Sequence, residues 1–194
     1  LKDLYKNSPM SFSGSFGMGM IYGASVGLIA VFGAKLGLSI FQISILVFVN
    51  TFIGALFQYP VGKLSDTFDR RIILLILNII ALISSICVII FGSFSFNILL
   101  LFVGIHSAVS LPYYAVVISH LNDFLEKDEV VSASSTLTLV NALGLVLGPI
   151  IVSGFMSYFD AYGLFYYCAI VYVFLALFTL SLIHISEPTR RLNI

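Results

Sequence analysis

The stretch "QYPVGKLSDTFDRRIILLIL", Gln58 to Leu77, decides how this chain is read. Five charges (Lys63, Asp66, Asp69, Arg70 and Arg71) fall within nine residues, between two long apolar runs. Elsewhere charge is scarce: 60% of the 194 residues are hydrophobic, 9% are charged, and mean hydropathy is +1.11. A soluble domain carries about a quarter of its residues as charges, so this chain cannot cover itself in water. The bilayer is the solvent its composition implies, and lipid is its expected partner. Net charge is zero, which leaves no basic field for nucleic acid and no acidic field for cations. Cys87 and Cys168 both lie in apolar runs and read as small hydrophobes. No metal or other cofactor is expected. The chain has no cleavable signal pattern and begins at Leu1 rather than Met, which reads as a start inside a longer protein.

A helix needs about 20 apolar residues to cross roughly 30 Å of hydrocarbon. Six segments qualify: 10–34, 40–61, 71–92, 97–119, 131–157 and 161–183. Ser8 followed by Pro9 suits a helix start, Ser39 with Gln42 makes a capping-box pattern, and Asn97 and Asp160 are the expected caps of the fourth and sixth helices. Short connections make successive helices antiparallel. The N-terminus, the 62–71 loop, the 120–130 loop and the C-terminus then share one side. That side holds Lys2, Lys6, Lys63, Arg70, Arg71, Lys127, Arg190 and Arg191, leaving only Lys35 opposite. By the positive-inside rule it faces the cytoplasm, which makes the opening stretch a cytoplasmic loop. The expected location is integral to the membrane with both termini cytoplasmic.

The first span carries small residues at four-residue spacing: Ser11, Ser15, Gly19, Gly23 and Gly27. They form one ridge along which a neighbouring backbone can approach. The fifth span repeats the device with Gly144 and Gly148, followed by Pro149. Such stripes serve packing, or a hinge or sliding surface in a moving protein. Intramembrane polar residues are few: Asn50, Gln58, Asn78, His106 and Asn141, with the hydroxyls of Tyr22, Tyr113 and Tyr114. Polar groups in hydrocarbon face a bundle interior or a wet cavity, and each serves as interhelical glue or as ligand contact. His106, Ser110, Pro112, Tyr113 and Tyr114 gather in the fourth span and make it the best candidate for a cavity wall.

The loop "GKLSDTFDRR" resembles the signature loop of the major facilitator superfamily, with Gly62, Leu64, Ser65, Asp66, Arg70 and Arg71 matching and Asp69 in place of the commoner glycine. The glycine-rich first span, "QYPVGKLSD", "LPYY" and "GLVLGP" further resemble the C-terminal half of the YcaD-like transporters. The resemblance implies an all-α integral membrane fold whose six transmembrane helices form one half, helices 7 to 12, of that fold. It implies residues 1–8 as the end of a central cytoplasmic linker and 9–182 as the six-helix bundle. It implies Gly62, Leu64, Ser65, Asp66, Asp69, Arg70 and Arg71 as a cytoplasmic latch onto a helix end of the N-terminal half, which would be missing here. The 10–34 and 97–119 spans would line a solute cavity, pointing to Tyr22, His106, Ser110, Tyr113 and Tyr114, with Asn50 and Asn141 flanking. Read without the family, Gly62 suits close backbone approach, Asp66 suits a helix N-terminus, and Arg70 and Arg71 can fork to carboxylates or lipid phosphates. A faint inverted repeat links "PVGKLSDTFD" with "PIIVSGFMSYFD".

The last fourteen residues, "SLIHISEPTRRLNI", resemble translated sequencing-adapter DNA, so 183–194 is read as a non-native tail. Excluding it leaves six of seven cations on one side. The leading functional reading is half of a secondary transporter moving a small solute by alternating access. A coupling proton stays open between a carboxylate in the missing half, His106, and uncoupled transport. An intramembrane enzyme would need a nucleophile with a base or clustered metal ligands. Three scattered histidines and no buried carboxylate argue against it. The alternative is a self-contained six-helix channel or scaffold acting as a homodimer.

Overall fold

The computed structural model describes residues 8–123, 125 and 130–184. The expected linker residues 1–7, Lys127 and the tail beyond His184 lie outside them. Within them the chain forms six helices: α1 (Pro9–Lys35), α2 (Ile40–Thr67), α3 (Arg70–Phe91), α4 (Phe96–Asn122), α5 (Val130–Tyr158) and α6 (Gly163–His184). All six are long and apolar enough to cross a membrane. Helices are the outcome that hydrocarbon demands, because each satisfies its backbone polar groups within itself.

The helix ends are built from the local chemistry. Ser8 caps α1, accepting from the Ser11 N–H, with Pro9 in the first turn. Ser39 and Gln42 form a reciprocal capping box on α2. Two expected caps are corrected. Helix α4 starts at Phe96, so Asn97 falls inside its first turn and Ser95 takes the cap, accepting from the Ile98 N–H at 3.2 Å. Asp160 lies in the turn before α6, with φ of 51°, and its carboxylate turns to Lys35 at 3.1 Å instead. Helix α2 also continues past residue 61, through Pro60, to Thr67. Asp66 is therefore in the last turn of a helix rather than at a helix N-terminus.

Apart from α3 on α4, sequence neighbours are not the main packing partners. Helix α1 lies along α5 as α4 lies along α2, α6 touches α1 as α3 touches α4, and α3 packs on α6. Exchanging helices one to three with four to six preserves this pattern, which is the relation an inverted repeat requires. Helices α1 and α4 are the most enclosed, whereas α2 and α5 leave broad faces exposed.

The α1–α5 seam shows what the small residues do. A Cβ on Gly19 would strike the Asn141 carbonyl, on Gly23 that of Leu145, on Gly144 that of Phe16, and on Gly148 that of Met20. Ser15 Oγ donates to the Leu137 carbonyl and Asn141 Nδ2 to the Ser15 carbonyl, each at 3.0 Å. Gly27 stands apart, because its nearest neighbour would be Pro149 Cγ at 3.8 Å. Around Gly62 a side chain would meet nothing within 4 Å among the described residues, so the expected close approach there does not occur within this bundle.

At the charged end Asp69 caps α3, accepting from the Arg71 N–H at 2.9 Å. Partial burial pushes its carboxyl up, but the backbone bond, the guanidinium bond and the charge of Arg71 outweigh that and hold it below its ordinary 3.8.

Gly19→Ala or Gly148→Ala must prise two backbones apart and should lower the unfolding temperature in detergent. Gly27→Ala should leave it unchanged or raise it, since alanine is worth about 1 kcal/mol over glycine in a helix; equal effects at the three positions would contradict the seam. Asp69→Ala should cost about 1 kcal/mol near neutral pH. A carboxyl with a lowered folded pKa stabilises above its unfolded value and loses that as pH falls through the folded one. The gap between wild type and Asp69→Ala should therefore close as pH drops below about 4, measured by unfolding across a pH series.

Candidate functional site

Near the middle of the helices, α1, α2, α4 and α5 line a partly open cavity of about 250 Å³. Tyr22 comes from α1, Gln58 from α2, Ser110 and Tyr114 from α4, and Asn141 from α5. Met18, Leu111 and Leu145 supply its apolar surface. The depth follows from where the polar residues sit in otherwise apolar helices. The convergence follows from the α1–α5 and α2–α4 pairings, which bring two helices from each half of the chain to one place. No Lys, Arg, Asp or Glu is among the lining residues.

Four of the seven cavity candidates, Tyr22, Ser110, Tyr114 and Asn141, meet here. The other three sit inside the bundle. Asn50 Oδ1 accepts from Ser25 at 3.3 Å and Ser107 at 2.7 Å, knotting α1, α2 and α4 together. Tyr113 accepts from Asn78 Nδ2 at 3.2 Å and joins α4 to α3. His106, fully enclosed, lies 3.2 Å from the Tyr172 hydroxyl and edge-on to Phe165 of α6. Periodicity cannot separate these two fates: both need a polar group on an apolar helix, and only the packing partner distinguishes them. Gln58 was legible as an intramembrane polar residue but not as part of the cavity, because nothing local aligns α2 with α4. Tyr172 carried no signal beyond its type.

A second cluster occupies the charged end. Arg70 is only 15% exposed and connects three elements: Nε to Asp123 Oδ2 at 2.8 Å, Nη2 to Asp66 Oδ1 at 3.2 Å, and Nη1 to Ser65 Oγ at 3.5 Å. Ser65 is buried and donates back to the Gly62 carbonyl at 2.8 Å. Arg71 folds onto Asp69 at 3.3 Å. Asp66 keeps 67% of its side chain exposed, and Leu64 is exposed beside it. Asp123, at the C-cap of α4, is the member that sequence reasoning passed over. Its only hint was its position on the same side of the membrane as the loop. Among the described residues no group of His, Cys, Asp and Glu is arranged to hold a metal ion.

Comparison with known proteins bears on these features. Residues 11–194 match the family model described as the Major Facilitator Superfamily. The chain is 28% identical over 160 residues to the uncharacterized MFS-type transporter YfkF of Bacillus subtilis strain 168. That match covers 81% of this chain and 40% of the relative, so the chain spans about two fifths of the relative's length. Six membrane-length helices in two like-packed sets of three, with an acid-and-arginine loop between the second and third, agree with what the match states: the chain belongs to the Major Facilitator Superfamily.

Proposed function

We propose that this chain is the C-terminal six-helix half of a YcaD-like secondary transporter, which carries a small solute across the membrane by alternating access. Membership of a transporter superfamily sets it among transporters rather than enzymes. The observation that carries the proposal is the mid-depth cavity, to which both three-helix sets contribute polar side chains and which no charged side chain lines. Binding sites at the midplane between repeats are what alternating access needs, because one rocking motion can then expose the site to either side. Helices α2 and α5 present long exposed apolar faces, with Phe48 stacked on Phe52 at 4.9 Å and with Leu143, Val146 and Ile150. In this reading an N-terminal half of the same polypeptide covers part of them and lipid the rest.

The charged end is cytoplasmic in this reading, on the strength of the cation asymmetry. The loop cluster is then the latch. Arg70 holds Asp66 and Asp123 together, and Asp66 keeps enough exposed surface to meet a helix N-terminus in the other half. His106 is held in the bundle interior, so if a proton is coupled, a carboxylate of the other half is the better candidate to carry it.

The test uses the full-length protein in proteoliposomes, with Cys87 and Cys168 replaced. Tyr22→Cys and Asn141→Cys should react with a membrane-impermeant maleimide from either side, and trapping one conformation should abolish access from one side only. Access from both sides at once would mean a channel. A symmetric dimer of this chain alone with full activity would establish the self-contained alternative. Asp66→Asn should slow transport about tenfold, equivalent to about 1.4 kcal/mol in the barrier, with unchanged insertion. A wild-type rate would remove the latch.

A further inference from the structure

We infer that the solute bound by this half is an uncharged molecule with an apolar body and hydrogen-bond donors, because the bundle uses up the hydroxyl protons of Ser110 and Tyr114 on the cavity wall and leaves their oxygens as acceptors. The inference rests on the transport reading above and names the chemistry its cavity selects.

Ser110 has one proton, and its Oγ donates it to the His106 carbonyl at 2.6 Å. The Tyr172 hydroxyl, 2.5 Å from that same Oγ, must then be the donor of the pair. With its own proton so committed, Tyr172 receives from His106 Nε2 at 3.2 Å. The three bonds close a ring that starts and ends at His106. They require the Nε2–H tautomer, an assignment made from the network, and they leave Nδ1 as a buried acceptor without a hydrogen-bond partner. His106 Nε2 also lies 3.5 Å from Ser110 Oγ but is nearer Tyr172, so Ser110 faces the cavity with a lone pair and no proton. Tyr114 is constrained in the same way. Its hydroxyl donates to Thr138 Oγ1 at 3.3 Å, and Thr138 has spent its own proton on the Ser134 carbonyl at 2.9 Å. Asn141 gives one N–H to the Ser15 carbonyl across the α1–α5 seam and keeps Oδ1 and one N–H.

The wall made by Ser110, Tyr114 and Asn141 therefore offers three oxygens against a single N–H. Tyr22 and Gln58 can play either role. With no charged side chain lining it, an ion placed here would lose its water without a counter-charge from this half. The tyrosine faces and the Met18, Leu111 and Leu145 side chains suit an apolar ring or chain. An alcohol or primary amide meets the oxygens with donors. At Ser110 and Tyr114 an ether or dialkylamide would set oxygen against oxygen and leave both unsatisfied.

The test measures binding to the full-length protein in detergent through ligand-induced shifts in thermal unfolding. The probes are 2-phenylethanol against its methyl ether, and benzamide against N,N-dimethylbenzamide. The donor-bearing member of each pair should bind about tenfold more tightly, the effect of one bond lost and one group left unpaired. Thr138→Val frees the Tyr114 proton to face the cavity and should narrow the gap to about threefold by improving the methylated members. Equal affinities within both pairs, tighter binding of the methylated members, or no binding by any of the four probes up to their solubility would overturn the inference. The accessibility experiment on Tyr22→Cys needs no ligand. If it shows alternating access while the pairs bind equally, this inference alone fails; if it shows none, the transport reading fails first.

Discussion

Helices in hydrocarbon have no water-driven reason to associate, so contact must come from close packing and from polar groups that find each other. In this bundle that contact is the seam between α1 and α5. Four glycines let each backbone lie against the carbonyls of the other, and Ser15 and Asn141 pin the register with hydrogen bonds. The position of Tyr22 beside Asn141 depends on that register, and with it one wall of the cavity. The α2–α4 pairing does the equivalent on the other side through the buried Asn50 knot. Because the two pairings are related by exchanging the three-helix sets, the cavity lies where the sets meet.

The polar residues of the interior divide into two populations by the same economy. Asn50, Asn78, His106 and Tyr113 are enclosed and bonded to neighbouring helices, so they tie helices at depths where water cannot compete. Ser110 and Asn141 do both jobs at once, holding the bundle with one atom and facing the cavity with another. That double duty gives the cavity wall its chemical bias: a group committed to packing can offer a solute only what the packing leaves over.

The charges in the loop between α2 and α3 form another such economy. Arg70 is largely covered, which would be costly for a lone guanidinium, and it is matched by Asp66, Asp123 and Ser65 at hydrogen-bond distance. It holds the end of α2, the start of α3 and the end of α4 in one arrangement. By contrast the Lys35–Asp160 pair at the opposite end is 41% and 77% exposed, the setting in which an ion pair contributes little. The two ends of the bundle are therefore unequal: one has a braced charge network, the other an exposed clasp.

The amino-acid sequence by itself determined the solvent, the number of spans, most of the helix starts and the family signature in the loop. All of these depend on properties of short segments: apolar length, capping residues and fixed spacing. Ser8, Ser39 and Gln42 could be assigned locally because a cap bonds only to its own first turn. The tertiary structure decided which helices pair, and so which polar residues face a cavity and which are buried. Asn141 and Asn50 look alike along the chain, yet one opens onto a cavity wall and the other is sealed in the bundle. Gln58 and Asp123 acquired their places only when α2 met α4 and α3 met the end of α4. The reason is physical: a polar side chain in an apolar helix is satisfied by whatever lies across from it. That partner is set by packing between segments far apart in the sequence.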